Sequence, residues 1–234
     1  MKKSCILTIS ALAALTSGYP ALANVFFTDT FTSGPSTNWS NTNAATYTGG
    51  KATFSNATRN YIYTIDTDYS KADFVATVQL TNDAGGQGNN FFGMGQGLPD
   101  SGFFNEPRAG GDNSYVLLSY AGAGGWIASA WKNTSTYELL GTSTLPAGTT
   151  ITAKLAWAAA TSTATFSLDT DNDGTYDYGT SIVNTNMASV TSRLFIGGSE
   201  ENVAIYADNF SVVPEPASLA LLALGGLALF RRRR

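Results

Sequence analysis

Apolar and polar residues alternate with a period of two along much of the chain. Phe74, Ala76, Val78 and Leu80 alternate with Val75, Thr77 and Gln79. Ile151, Ala153, Leu155 and Trp157 alternate with Thr150, Thr152, Lys154 and Ala156, and Ala164, Phe166 and Leu168 alternate with Thr163, Thr165 and Ser167. Successive side chains of a strand point to opposite faces, so each run gives one apolar row for a core and one row for solvent. Further strands are expected at 25–31, 52–55, 60–65, 90–96, 115–120, 126–132, 137–140, 176–182, 194–197 and 203–213. Turn-forming clusters separate them: Gly49-Gly50, Asn82-Asp83-Ala84-Gly85-Gly86, Pro146-Ala147-Gly148 and Asn172-Asp173-Gly174. Windows of about 11 residues show no helical period outside the two ends. Many short strands in a chain long enough for one core predict an all-β domain, an antiparallel β-sandwich over residues 24–212. No internal repeat is present.

The two ends read differently. Met1-Lys2-Lys3, the apolar stretch from Ile6 to Leu15 and the small residues Ala21-Leu22-Ala23 form a signal peptide over 1–23, with the mature chain starting at Asn24. At the other end come Val213, Pro214, Glu215 and Pro216, then an uncharged apolar run from Ala217 to Phe230, then Arg231 to Arg234. As a helix the 14-residue run is about 21 Å long at ~1.5 Å per residue, short of a hydrocarbon core of about 30 Å. The arginines favour the cytoplasmic side and leave the domain outside. The two prolines keep the segment before Ala217 out of a helix. The order of motif, apolar helix and basic end over residues 213–234 resembles the PEP-CTERM sorting signal of Gram-negative bacteria that make exopolysaccharide. The resemblance implies transient insertion in the inner membrane, processing by an exosortase-type enzyme, and a destination at the cell surface or in the extracellular matrix. An ordinary tail anchor is the alternative.

Removing both ends changes the charge picture. The whole chain has a net charge of −4, but the domain retains sixteen acidic and seven basic residues, a net charge near −9. An acidic surface disfavours nucleic acid and anionic lipid, and suits divalent cations or neutral polymers as well as simple solubility. The single cysteine, Cys5, falls in the signal peptide, so the mature domain has no disulfide, thiol nucleophile or thiolate metal site. The absence of histidine removes Ser-His-Asp and imidazole–metal chemistry.

The acidic stretch from Asp169 to Asp177 carries candidate chemistry. Asp169, Asp171 and Asp173 fall at the first, third and fifth positions, Gly174 at the sixth and Asp177 at the ninth. Alternate carboxylates can converge on one hard cation while the glycine allows the sharp turn, so the segment reads as a possible Ca2+ loop with Thr175 offering its carbonyl. Thr180 stands where an EF-hand has glutamate and no helices flank the loop, so it is not an EF-hand. A plain β-hairpin with Asp173-Gly174 at its turn is the alternative.

Other motifs exclude more than they assign. The glycine-rich stretch from Gly85 to Gly97 lacks a following Gly-Lys-Ser/Thr and reads as a strand with close backbone approach, not a phosphate loop. The four glutamates of the domain, Glu106, Glu138, Glu200 and Glu201, do not form the Glu-x-Asp-x-x-Glu pattern of jelly-roll glucanases. Adjacent Glu200 and Glu201 in a strand would face opposite ways. No enzyme activity is expected, and a polysaccharide hydrolase is the remote third choice.

The Phe27-to-Phe31 run, Trp39, the Tyr69-to-Phe74 entry to a strand and the closing run Ala207-Asp208-Asn209-Phe210-Ser211-Val212 together look like a concanavalin A-like (laminin G-like) jelly roll. Trp126, Trp131, Tyr120 and Tyr137 lie around one hairpin region and offer faces on which sugar rings can stack. They also have the composition of ordinary core residues. The expectation is an exported protein whose lectin-like domain contacts exopolysaccharide or another extracellular glycan. The alternative is a purely structural matrix protein without a ligand site.

Overall fold

A computed structural model of the chain describes residues 26–42, 45–65, 68–82, 89–95, 115–121, 128–131, 137–141, 146, 148–189 and 192–215. The expected signal peptide, Trp126, and the apolar run and arginines of the tail lie outside the described residues. Thirteen strands lie among the described residues: β1 (Phe27–Asp29), β2 (Trp39–Thr42), β3 (Thr46–Thr48), β4 (Lys51–Thr64), β5 (Phe74–Asn82), β6 (Asn89–Gly95), β7 (Tyr115–Ala121), β8 (Ala128–Trp131), β9 (Tyr137–Gly141), β10 (Thr150–Ala158), β11 (Thr163–Asp169), β12 (Tyr178–Val183) and β13 (Arg193–Pro214). Short 3-10 turns lie at Tyr69–Lys71 and Thr185–Ser189.

The strands build two antiparallel sheets that share the long strands β4 and β13. In the first sheet the order is β12-β11-β10-β5, then the C-terminal half of β13. That half is bordered on its far side by the start of β4 and by β1. In the second sheet the order is β9-β8-β7-β6, then the N-terminal half of β13, the end of β4 and β2. Two pairs of expected strands, 52–55 with 60–65 and 194–197 with 203–213, are thus each one continuous strand. Register shifts in the β4–β13 pair, between Gly198 and Glu200 and between Glu200 and Ile205, mark the crossing. β2 and β3 are strands that the alternation did not signal, each too short to show a period.

The three alternating runs behave as expected. Rows of opposed residues cross the first sheet: Val78–Ala153–Leu168, Ala76–Leu155–Phe166 and Phe74–Trp157–Ala164, every member fully buried. Small residues sit beside large ones along these rows, as close packing of facing layers requires. In β13 the alternation changes phase. Asn209 and Phe210 together oppose the span between Gln79 and Thr77, and Asn209 adopts a left-handed φ of 48°. This bulge turns Phe210 and Val212 inward after Ile205 and Ala207. Phe210 then meets the ring of Trp39 at 4.8 Å and that of Phe27 at 5.2 Å.

The second sheet is apolar on both faces. Ile62, Phe92, Leu118 and Ile196 join the main core, while Tyr61, Tyr63, Phe91, Leu117 and Phe195 form a separate buried cluster at the alternate positions. Gly93 makes this cluster possible. A Cβ there would overlap the Val116 carbonyl and stand 2.9 Å from Cζ of Phe195. Over Asn89–Gly95 the glycine-rich stretch therefore is a strand with close backbone approach, as its residues predict.

Candidate functional site

The acidic loop joins β11 to β12. Its entry is Asp169, the last residue of β11, and Asp177 closes it by donating its backbone N–H to the Leu168 carbonyl at 2.8 Å. Two residues take left-handed backbone, Asn172 at φ 58° and Gly174 at φ 92°. Both residue types tolerate that region, so the chain can reverse sharply here. Asn172 also ties the loop to its neighbour strand. Its Nδ2 donates to the Thr150 carbonyl at 2.5 Å, and its Oδ1 accepts from the Thr152 hydroxyl at 2.6 Å.

The loop's carboxylates do different work. Asp173 Oδ1 accepts from the Thr175 N–H at 2.7 Å, and Asp171 Oδ1 accepts from the Asp173 N–H at 3.2 Å. Asp177 Oδ2 accepts from both the N–H and the hydroxyl of Thr170, at 2.9 and 2.5 Å. Those two bonds hold the Asp177 carboxyl below its usual pKa, so it stays ionised. Asp169 is the buried member at 4% exposure. Its Oδ2 accepts from the Gly174 N–H at 2.9 Å, but its Oδ1 has no hydrogen-bond partner. Beside the loop, burial and then the charge of Asp169 push the Tyr176 hydroxyl pKa up, and the Lys154 ammonium stands 4.0 Å from the ring centroid.

Asp169, Asp171 and Asp177 each bring one carboxylate oxygen to within 4.8 Å of the others. A Ca2+ ion binds oxygens at about 2.3–2.6 Å, so a single ion can reach all three. The orphaned Asp169 oxygen fits such an ion, because a buried carboxylate oxygen without a partner is costly and a cation relieves that cost. The donor set, all oxygen, suits a hard divalent cation. Asp173 is not part of the cluster, and Thr175 is exposed with its N–H spent on Asp173. Asn172 is an anchor that the carboxylate spacing does not point to. Its signal was an asparagine before Asp-Gly, which marks left-handed backbone but not the strand it bonds.

The four aromatic residues expected around one hairpin do not share one register position. Trp131 of β8 stands opposite Leu117 of β7 and opposite Tyr137 of β9. Tyr120 pairs with Ala128, three positions along β7, and falls on the alternate set to Leu117. Trp126 lies outside the described residues. Trp131 and Tyr137 continue a row that crosses the second sheet from Tyr63 through Phe195, Gly93 and Leu117. Apolar residues at successive positions, as in Tyr61-Ile62-Tyr63, are the sequence mark of a strand covered on both faces.

The sorting motif emerges at the other end of the first sheet from the acidic loop. Thr152 of β10 pairs with Asp169, whereas Trp157 of β10 pairs with Phe74, which in turn pairs with Pro214 of β13.

The fold is that of the lectins. Peanut lectin with a bound 9mer peptide matches over 80% of this chain and 95% of its own, with a TM-score of 0.58 and 11% identity. The metal-free form of lectin I-B4 from Griffonia simplicifolia matches over 80% and 98%, with a TM-score of 0.59 and 14% identity. Lectin II from Ulex europaeus matches over 76% and 92%, with a TM-score of 0.56 and 14% identity. This all-β, concanavalin A-like sandwich is therefore lectin-like in architecture. The chain also carries the PEP-CTERM protein-sorting motif over residues 212–234. That motif implies export through the inner membrane, exosortase processing and a place at the cell surface. No curated protein matches the sequence.

Proposed function

We propose that this protein is an exported cell-surface or extracellular-matrix component whose lectin-like domain binds exopolysaccharide and performs no catalysis. The observation that carries the reading is the joining, in one chain, of a lectin-like sandwich to a PEP-CTERM motif. The glycan contacts proposed are Trp131 and Tyr137, cross-strand neighbours at the β8–β9 border, with Tyr120 and Trp126 nearby in sequence. Aromatic faces of this kind stack on sugar rings. The apolar tail inserts in the inner membrane only until an exosortase-type enzyme removes it. The test is a pull-down of the mature domain on purified exopolysaccharide from the producing strain, with and without calcium. Retention above that on an unrelated neutral polymer is expected. Failure to bind any glycan under both conditions would leave a structural matrix protein.

Calcium belongs to the same proposal. Asp169, Asp171 and Asp177 would hold it, closing the β11–β12 hairpin against β10 through Asn172. A cation bound only by the folded state stabilises it by about 2.7 kcal/mol at 100-fold excess over the dissociation constant. For a domain of this size that is a rise in Tm of about 5–10 °C. Chelation should reverse the rise, and Asp171→Ala should abolish most of it. Identical melting curves for metal-stripped protein with and without calcium would reduce the loop to a hairpin turn.

A further inference from the structure

The outer face of the first sheet carries a trough with a polar floor. Thr77 of β5 stands opposite Ser211 of β13 and Lys154 of β10, and Gln79 stands opposite Asp208 and Thr152. These residues alternate with the buried rows, so they lie on the solvent side of the sheet, and each is half-buried.

Two raised elements wall the floor. On one side the β11–β12 loop folds back over β10. Asn172 bonds the Thr150 carbonyl and the Thr152 hydroxyl, and the Tyr176 ring lies against the Lys154 ammonium. On the other side the β13 bulge lifts Asn209 out of the ladder. Its side chain is exposed and its Nδ2 donates to Gln79 Oε1 at 2.7 Å. From β13 to β10 is two strand spacings, about 10 Å.

The groups left over on this floor match a polyol. Gln79 Nε2 can donate, Asn209 Oδ1 can accept and the Thr77 hydroxyl can do either. None of the three has a partner in that role among the described residues. Tyr176, 37% exposed, adds an aromatic face at the wall. The charge of Asp208 and of the loop's aspartates repels an anionic chain, whereas a neutral one is indifferent to it.

Resting on the glycan-binding reading, we propose that this trough holds a neutral stretch of polysaccharide, at a site separate from the β8–β9 border of the other sheet. Sugar hydroxyls pair with Gln79, Asn209 and Thr77, and a sugar ring packs on Tyr176. The bulge in β13 then has a role besides turning Phe210 inward, since it sets Asn209 over the floor.

The test is retention of the full chain, in mild detergent with calcium present, on exopolysaccharide purified from the producing strain. Gln79→Ala and Tyr176→Ala should each weaken retention roughly fivefold to tenfold, the loss that one or two contacts of this kind give. A probe that leaves the loop in place is Thr77→Cys in a Cys5→Ser chain, which then holds no other cysteine. The free thiol should bind as the native chain does, and coupling it to a bulky maleimide should weaken retention as the alanine changes do. Unaltered retention of the labelled chain overturns the trough and leaves the glycan reading standing. Retention that collapses with added salt makes anionic groups the ligand and overturns the neutral assignment. A native chain that does not bind the polymer at all sinks the glycan reading and the trough with it.

Discussion

A chain with Pro214, Glu215 and Pro216 all replaced by alanine is expected to remain almost wholly with the cells, and the native chain is expected to be released. Proline in this segment would keep a helix formed by the apolar run from extending back toward the domain. With alanine at all three positions that barrier is gone, and alanine is the best helix former. Beyond the end of β13 the chain would then no longer be held extended, and the form in which a processing enzyme binds a chain would be lost. The sandwich itself should be little affected, since Val212 and Val213 are unchanged and Pro214 contributes no N–H to the ladder. The measurement is the distribution of the protein between washed cells and medium. Native release of the alanine chain would show that the motif is not what the enzyme grips.

Trp157→Ala should be the most damaging single change in the core. The indole is fully buried in the row between Phe74 and Ala164, and its Nε1–H donates to the Ser70 carbonyl at 3.2 Å. Truncating a buried tryptophan to alanine costs about 3–5 kcal/mol. That corresponds to a fall in Tm of roughly 6–20 °C for a domain of this size. Trp157→Phe keeps most of the bulk but not the donor, and should lose about 1–3 kcal/mol for removing one partner of a buried hydrogen bond, plus a small packing term. Thermal unfolding of the two variants beside the native domain checks both. Equal losses would mean that the hydrogen bond, not the packing, dominates the site.

The period-two rows of β5, β10 and β11 could be read directly because the apolar residues of one face are buried and, Val75 apart, the residues of the other are polar or small. β13 was harder for two reasons. Its bulge at Asn209 shifts the apolar phase from Ile205 and Ala207 to Phe210 and Val212, and its crossing between sheets passes through Gly197-Gly198-Ser199-Glu200-Glu201, which has the composition of a loop. Composition there lost to pairing, since β4 runs alongside through the same crossing. The metal loop was legible in part. Spacing marked the carboxylates, but it treats every alternate acid alike. It could not show that Asp173 turns its oxygen to Thr175 while Asp169 keeps one oxygen free. The second apolar face of the central sheet left a trace in Tyr61-Ile62-Tyr63, though no sequence period distinguishes two covered faces from one thick core.

The placement of the acidic loop and the sorting motif at opposite ends of the first sheet has an electrostatic consequence. β10 has nine residues and runs between the two ends. At about 3.4 Å per residue it sets roughly 27 Å between the metal triad and the point where the tail leaves the domain. The Debye length at physiological ionic strength is about 8 Å. With the tail in a membrane and the first sheet standing upright on it, the triad would lie several screening lengths beyond the lipid surface potential. Calcium bound there would then follow its free concentration in the surrounding medium, unaltered by the local enrichment of cations at anionic headgroups. Anchored and released protein should accordingly show the same apparent calcium affinity.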